Sequence, residues 1–101
     1  MRDTDISCKN LEYGTGNKVV GELDLFLYNY DTNVAYIFEV KSTDNYKTRA
    51  KAIKQLDKAA NKYIIKRCPY NVKKLYTYYV HGEKGKKNKN FSINYISTYN
   101  Y

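Results

Sequence analysis

Apolar and polar residues alternate along residues 18–28 and again along residues 34–42, which is typical of β-strands. The intervening residues 29–33 are Asn, Tyr, Asp, Thr and Asn, a composition typical of turns. The two segments therefore predict a hairpin with one entirely apolar face, which we expect to point into the core. The residues of that face are Leu23, Leu25, Leu27, Tyr36, Phe38 and Val40.

The other face of this hairpin is charged. A hairpin centred within the turn places Asp24 opposite Glu39 and Glu22 opposite Lys41. Directly opposed carboxylates weaken a sheet by roughly 0.2–1 kcal/mol, so this pair of acids needs an explanation. A bound divalent cation supplies one, because carboxylate oxygens suit magnesium or manganese.

One strong helical pattern follows the hairpin, over residues 47–67, with Asp44 and Thr43 as the best candidates for its N-cap. Its apolar positions recur at helical spacing and are Ile53, Leu56, Ala60 and Ile64. Residues 74–81 then predict a strand that lies parallel to the second hairpin strand through a right-handed crossover. Residues 91–101 predict a final edge strand.

The first part of the chain, residues 1–18, is polar and has no clear period. We expect a turn of helix at residues 11–13 and a loop at residues 14–17. The whole pattern predicts a single α/β domain over residues 1–101. Its expected core is a small mixed β-sheet with a central hairpin, one main helix and a parallel crossover strand.

The composition favours a polyanionic partner. The chain has 101 residues, with 18 basic against 10 acidic side chains and a formal net charge of +8. Nucleic acid is the first expectation, DNA before RNA, although a basic protein without such a partner has the same composition. The lysines best placed to contact phosphates lie on one helix flank and in a basic loop at residues 82–90. They are Lys51, Lys54, Lys58, Lys84, Lys86, Lys87 and Lys89.

Other features bear on location. No apolar run approaches the ~20 residues that span a bilayer, and no secretory signal opens the chain, so we expect an intracellular protein with no membrane partner. Richness in Lys, Asn, Tyr and Ile hints at an AT-rich genome and a viral protein of the host cytoplasm or nucleus. We expect Cys8 and Cys68 to be ordinary thiols and His81 to be packed or solvated.

Three short motifs together resemble the PD-(D/E)XK nuclease superfamily. They are G-E-L-D at residues 21–24, E-V-K at residues 39–41 and K-Q-L at residues 54–56. The hairpin motifs are most similar to those of archaeal Holliday junction resolvases and related small bacterial proteins. The resemblance implies the restriction-endonuclease-like fold, with an α-β-β-β-α-β core and an active site on the central hairpin.

The resemblance also implies residue roles. Asp24 and Glu39 match the two metal-binding acids, and Lys41 matches the catalytic lysine. The backbone carbonyl of Val40 matches the third protein ligand of the metal. The implied cofactor is Mg²⁺ or Mn²⁺, which would activate a water and polarise the phosphate, while Lys41 orients that water or stabilises the developing charge.

Two further positions match more loosely, and two depart from the pattern. Glu22 matches the glutamate of the G-E-[IL]-D form and is a further metal-ligand candidate, and Gln55 is similar to a polar residue that some branches place on the following helix. Leu23 stands where the name-giving proline would be. The family's first helix is short or missing, and Glu12 is the obvious substitute for the glutamate it often carries. So small a domain also suggests a homodimer or a substrate-recognising partner.

The sequence therefore predicts a metal-dependent deoxyribonuclease, an endonuclease of repair, recombination or virus replication. The alternative is a non-catalytic nucleic-acid-binding module with a degenerate nuclease fold. A structural or partner-binding protein is the third class, supported by the tyrosine-rich C-terminal segment. The pattern leaves open whether the substrate is a junction, a nick, a free end or a plain duplex.

Overall fold

Five β-strands in one sheet and one helix make up the fold. The computed structural model describes residues 5–15, 18–65, 68–82 and 91–101. The strands lie in the sheet in chain order and are β1 (Asp5–Thr15), β2 (Lys18–Asn29), β3 (Val34–Lys41), β4 (Lys74–Gly82) and β5 (Phe91–Asn100). Helix α1 (Tyr46–Ala59) continues into a π-helical turn, Ala60–Ile64. Neighbouring strands are antiparallel except β3 and β4, which are parallel. The predicted small α/β domain with a mixed sheet, a hairpin and a parallel crossover strand is confirmed.

The turn of the β2–β3 hairpin is built by its own asparagines. The side chain of Asn29 accepts hydrogen bonds from the backbone N–H groups of Asp31 and Thr32, at 2.9 and 3.0 Å. Asn33 adopts a positive φ of 57°, which asparagine tolerates better than most residues. The register that follows is the predicted one, with Leu25 opposite Phe38.

Helix α1 covers the opposite face of the sheet from the one predicted. The buried sheet residues beneath it are Phe26, Tyr28, Ala35, Ile37 and Leu75, and the buried helical residues are Ala52, Leu56, Ala59, Ala60, Tyr63 and Ile64. The expectation that the face with Leu25 and Phe38 forms the core is wrong, since both residues are only half-buried. Both hairpin faces carry large apolar residues, and the handedness of the β3–α1–β4 crossover decides which one the helix covers.

The first described segment is a strand, so the predicted helical turn at residues 11–13 is wrong. Strand β1 pairs with β2 along its length, with Leu11 opposite Leu23 and Glu12 opposite Glu22. Pairing with a neighbouring strand outweighs the weak local pattern of this segment. The loop predicted at residues 14–17 is also wrong at its start, which belongs to β1, while residues 16 and 17 lie outside the described part of the chain.

Helix α1 begins one residue later than its predicted caps. Asn45 is the N-cap, and it forms a reciprocal capping box with Thr48. Asp44, predicted as a cap, instead binds Arg49 with a 2.9 Å ion pair. The prediction that Ile53 belongs to the core is also wrong, because its side chain is 39% exposed and the buried residues of α1 start at Ala52.

The expectations for β4, β5 and the two cysteines agree with the structure. Strand β4 lies inside the sheet with both faces lined by large side chains, and β5 is an edge strand. Cys8 and Cys68 are free thiols. No helix in the described ranges is long and apolar enough to span a membrane.

Candidate active site

The β2–β3 ladder opens at Asp24, and this opening creates the site. Paired residues run from the turn to Leu25 and Phe38, and beyond them an Asp24 side-chain oxygen accepts the Val40 N–H at 2.7 Å. A carboxylate thus takes the position of a ladder carbonyl. Asp24 and Glu39 therefore lie next to each other, as predicted, but their side chains make the contact and the two residues are not a pair in the hairpin ladder.

Strand β2 also rotates at this point. Leu23 and Phe26 are both fully buried, although residues three apart point to opposite faces of a regular strand. The strand must therefore twist between them, which is where Asp24 lies. This rotation turns the Asp24 side chain towards β3 instead of letting it continue the regular alternation.

Glu39 occupies a core position. The buried residues of β3 alternate as Ala35, Ile37 and Glu39, and the Glu39 side chain is 4% exposed. Its carboxyl group lies within hydrogen-bonding reach of the Asp24 carboxyl group. Burial first, then this hydrogen bond and the charge of Asp24, raise the pKa of Glu39 to about 8.

Lys41 lies beside this acidic pair. Its ammonium nitrogen is 3.9 Å from a Glu39 carboxylate oxygen, and its side chain is 29% exposed, so it reaches both the buried acid and solvent. The positive charge of Lys41 opposes the rise in the pKa of Glu39, whereas the nearby charge of Glu22 adds to it. Lys41 therefore pairs with Glu39, and no described ion pair joins it to Glu22 as the predicted register would have it.

Tyr13 is a residue of the site that the sequence did not reveal. It extends from β1 over Gly21, is 6% exposed, and its ring centroid lies 5.2 Å from that of Tyr63. Burial and the charge of Glu39 raise the pKa of the Tyr13 phenol. Because a Cβ at Gly21 would overlap this phenol ring, the glycine of the G-E-L-D motif is required by packing. Recognising β1 as a strand would have predicted the contact.

A second polar cluster lies next to the acidic pair on β4. The parallel register places Tyr79 beside Glu39 and His81 beside Lys41. The Tyr79 hydroxyl donates a 3.0 Å hydrogen bond to the Asp44 carboxylate.

Two basic side chains, Arg49 and His81, lie close to that carboxylate. The ion pair with Arg49 keeps the pKa of Asp44 below its ordinary value, and His81 Nε2 lies 3.7 Å from the same carboxylate. His81 is thus packed, as predicted, and its side chain is 14% exposed. This cluster fixes the start of α1 against the sheet beside the site.

Other predicted residues are not drawn into the site. Gln55 is exposed on α1, and no described hydrogen bond connects it with Asp24 or Glu39. Glu12 and Glu22 face each other across β1 and β2, and both are exposed. The helical lysines of the predicted phosphate-binding set are exposed, and they are Lys51, Lys54 and Lys58. The loop lysines of that set lie outside the described residues, and they are Lys84, Lys86, Lys87 and Lys89.

The acidic pair has the chemistry of a magnesium site of the simplest kind. Among the described residues, no group of three or more His, Cys, Asp or Glu side chains is arranged to hold a metal ion. Mg²⁺, however, commonly binds through one or two carboxylates and keeps several waters. The neighbouring carboxyl groups of Asp24 and Glu39 offer such a pair, since a divalent cation can take the place of the proton that Glu39 carries below its raised pKa. Asp24 and Glu39 therefore fit Mg²⁺ or Mn²⁺ as a two-carboxylate site.

No protein-family model, curated protein or solved structure matches this chain. The case for a function accordingly depends on the site itself and on the motifs that form it.

Proposed function

We propose that this protein is a metal-dependent nuclease that hydrolyses phosphodiester bonds of DNA. The observation that carries the proposal is the pairing of buried Glu39 with half-buried Asp24 at the opening of the hairpin, with Lys41 beside it. A buried acid with a strongly raised pKa beside a second acid is costly to maintain, and such groups concentrate at functional sites. A shared divalent cation would remove that cost.

The surrounding fold supports a restriction-endonuclease-like assignment. The order from β2 to β4, two antiparallel strands, a helix and a parallel strand, agrees with the β-β-α-β part of the PD-(D/E)XK core that the motifs imply. The chain departs from that core at its beginning, where β1 stands instead of a helix. The assignment therefore rests on the hairpin, α1 and β4.

Each residue of the site has a chemical task in this proposal. The Val40 N–H orients the Asp24 carboxylate, and burial holds Glu39 in place to face it. A bound Mg²⁺ or Mn²⁺ supplies an activated water and neutralises charge on the phosphate. The Lys41 ammonium, 3.9 Å from Glu39, stabilises negative charge that develops on the phosphoryl oxygens.

The charge of the rest of the chain supports DNA as the substrate. The net charge is +8, and exposed lysines line α1, the helix that packs over the same face of the sheet that carries Glu39. Such lysines attract the phosphate backbone without reading its sequence. We propose that Lys51, Lys54 and Lys58 contribute to this attraction, with the lysines of residues 83–90.

The test is cleavage of labelled linear, nicked and four-way-junction DNA, with RNA of the same sequence, in Mg²⁺ or Mn²⁺. Asp24→Asn removes a proposed metal ligand and changes the side-chain volume little. Lys41→Ala removes the proposed catalytic ammonium, and its loss of side-chain volume falls near the surface. Asp31→Asn in the hairpin turn and Lys73→Ala just before β4 are matched controls on exposed residues. We expect metal-dependent cleavage that both site variants abolish and both controls retain.

A non-catalytic nucleic-acid-binding module is the second candidate. It is favoured by the two-carboxylate character of the site, because no third acidic side chain joins Asp24 and Glu39 in the described residues. Salt-dependent DNA binding by the wild type, with no cleavage of any substrate in either metal, would favour this candidate over the nuclease.

A further inference from the structure

The sheet has one face that nothing in the described part of the chain covers. Helix α1 packs against β2, β3 and β4 from the other side. We call the uncovered side the open face. The residues that the register places on it include Leu25, Leu27, Tyr36, Phe38, Val40, Tyr76, Tyr78, Val80, Phe91, Ile93 and Tyr95.

The open face is unusually apolar for a surface. Its most exposed large residues are Ile93 at 65%, Tyr95 at 54%, Phe91 at 51% and Val40 at 41%. Scattered apolar residues are normal on protein surfaces, but a contiguous apolar patch marks an interaction site. These residues are contiguous, because they come from neighbouring strands of one sheet.

The aromatic rings of the open face are held in order. Phe38 stacks on Tyr78 with ring centroids 5.0 Å apart, and Tyr36 stacks on Tyr76 at 5.6 Å. Tyr95 meets Tyr78 edge to face at 6.1 Å. A row of rings fixed by neighbouring strands loses little side-chain entropy when a partner covers it, which favours binding.

The apolar area of the open face approaches the area that one partner buries in a stable interface. Aromatic side chains bury roughly 150–250 Å² each, so the exposed halves of Phe91 and Tyr95 alone offer about 200 Å². Nine more apolar residues belong to the face, which brings it to several hundred Å². Each partner in a standard interface buries about 800 Å², and the largest apolar patch of a typical monomer is about 300–600 Å².

The charge of the open face decides which partner fits it. Across the paired parts of β2 to β5, Lys74 is the one charged residue that the register places on this face, and it lies near the end of β4. On the edge strand β1, Lys9 lies opposite Leu25, at the margin of the face. The exposed lysines of α1 lie on the other side of the molecule. A nucleic acid needs cations along its backbone, whereas the core of a protein interface is depleted of charge and rich in aromatic residues.

We propose that the open face binds the open face of a second copy of this chain, forming a two-fold homodimer with two sheets packed face to face. Sheets pack in this way about 10 Å apart, with side chains of both inner faces interdigitating. A two-fold interface brings the same patch together with itself, so it requires a patch without strong like charges near its centre. The open face meets that requirement although the whole chain carries a charge of +8.

This dimer leaves the candidate active site accessible. Glu39 points to the helix side of the sheet, away from the open face, so both acidic pairs and both sets of α1 lysines remain outside the interface. The proposal does not depend on the nuclease assignment, because a protein without catalytic activity would have the same open face.

The experiment is the concentration dependence of the mass of the full chain, by sedimentation equilibrium, for wild type and three variants. Ile93→Lys and Val40→Lys each place a charge on the open face, one on the edge strand and one inside the sheet. Ile53→Lys is the matched control, since Ile53 is 39% exposed on α1 and lies outside the proposed interface. Circular dichroism and thermal melting establish that each variant is folded.

We expect wild type and Ile53→Lys to form dimers with twice the mass of the 11.9 kDa chain. Both open-face variants should have a dimer dissociation constant roughly tenfold higher or more, because the lysine would be buried in the interface without a partner. Added salt should weaken the wild-type dimer little, since few charges lie in the interface. A monomeric wild type would overturn the proposal. A dimer that tolerates Val40→Lys would also overturn it and point to edge pairing through β5.

Discussion

The two ends of the β2–β3 hairpin are built from similar strands but satisfy their polar groups in opposite ways. At the turn, the Asn29 side chain accepts hydrogen bonds from two backbone N–H groups, and every residue of β2 from there to Leu25 is paired with β3. At the open end, Asp24 replaces a ladder group, and Glu39 is buried against it as a second acid. The turn end explains the shape of the hairpin. The open end has a cost that shape alone does not explain, and function is the natural reason for it.

The largest expected effect comes from a substitution that removes the charge of Asp24 at the open end of the hairpin. Asp24→Asn keeps a side-chain oxygen that can accept the Val40 N–H but removes the negative charge, so the fold should survive while metal binding fails. We expect cleavage of the preferred DNA substrate to fall roughly 10²–10³-fold or more, measured as initial rates in Mg²⁺. The turn-end variant Asp31→Asn serves as the control, and an equal loss in both variants would contradict a specific role for Asp24.

A second prediction concerns the proton of Glu39. Its pKa is about 8 in the folded protein and 4.5 ordinarily, so the folded state binds more protons between these values. The free energy of unfolding of the metal-free protein should therefore fall as pH rises from 4.5 to 8, by up to ~1.4 kcal/mol per pH unit.

Glu39→Gln should remove that slope and make the metal-free protein more stable than wild type at pH 8. Urea unfolding at several pH values in the presence of a chelator measures the free energy of unfolding of each variant, with Glu12→Gln as the exposed control. A wild-type profile that is flat over this range would show that Glu39 is ionised in the folded protein.

A third prediction sharpens the comparison at Gly21, next to the open end. Gly21→Ala places a methyl group into the space of the Tyr13 ring, which is buried and packed on Tyr63, so the molecule must shift. We expect a loss of about 1–3 kcal/mol in the free energy of unfolding.

The double variant Gly21→Ala/Tyr13→Ala should show strong coupling, because the smaller side chain leaves room for the new methyl group. Additive effects of the two substitutions on urea unfolding would mean that the ring does not lie over the glycine.

The smallest expected effect belongs to the turn end. Asn29→Ala removes two hydrogen bonds to exposed backbone N–H groups, and we expect about 1 kcal/mol of lost stability with cleavage unchanged under conditions where the protein is folded. Thermal melting and the cleavage assay check this together. A large loss of cleavage in folded Asn29→Ala would remove the distinction between the two ends.

Local patterns in the sequence predicted the parts of this fold that depend on neighbours in the chain. The turn asparagines and the alternation of β2 and β3 determine the hairpin register, and Leu25 does pair with Phe38. The same reasoning placed Asp24 against Glu39, and their carboxyl groups do meet.

Contacts between distant segments were not predictable in the same way. Strand β1 has little alternation of its own and becomes a strand by pairing with β2, so the position of Tyr13 over Gly21 was missed. The covered face was assigned wrongly, because Phe26 and Leu25 are equally good core residues and only the crossover of α1 distinguishes them. The open face is the direct consequence of that choice.

The central claim is that Asp24 and Glu39 form a metal site, and calorimetric titration with Mn²⁺ tests it most directly. At pH 7, below the pKa of about 8, Glu39 carries a proton, and a cation that binds its carboxylate must release that proton. Titrations in two buffers with different ionisation enthalpies measure the protons released. We predict one binding site per chain with release of about one proton, and loss of both in Asp24→Asn. No binding by the wild type, or binding that Asp24→Asn retains, would contradict the account.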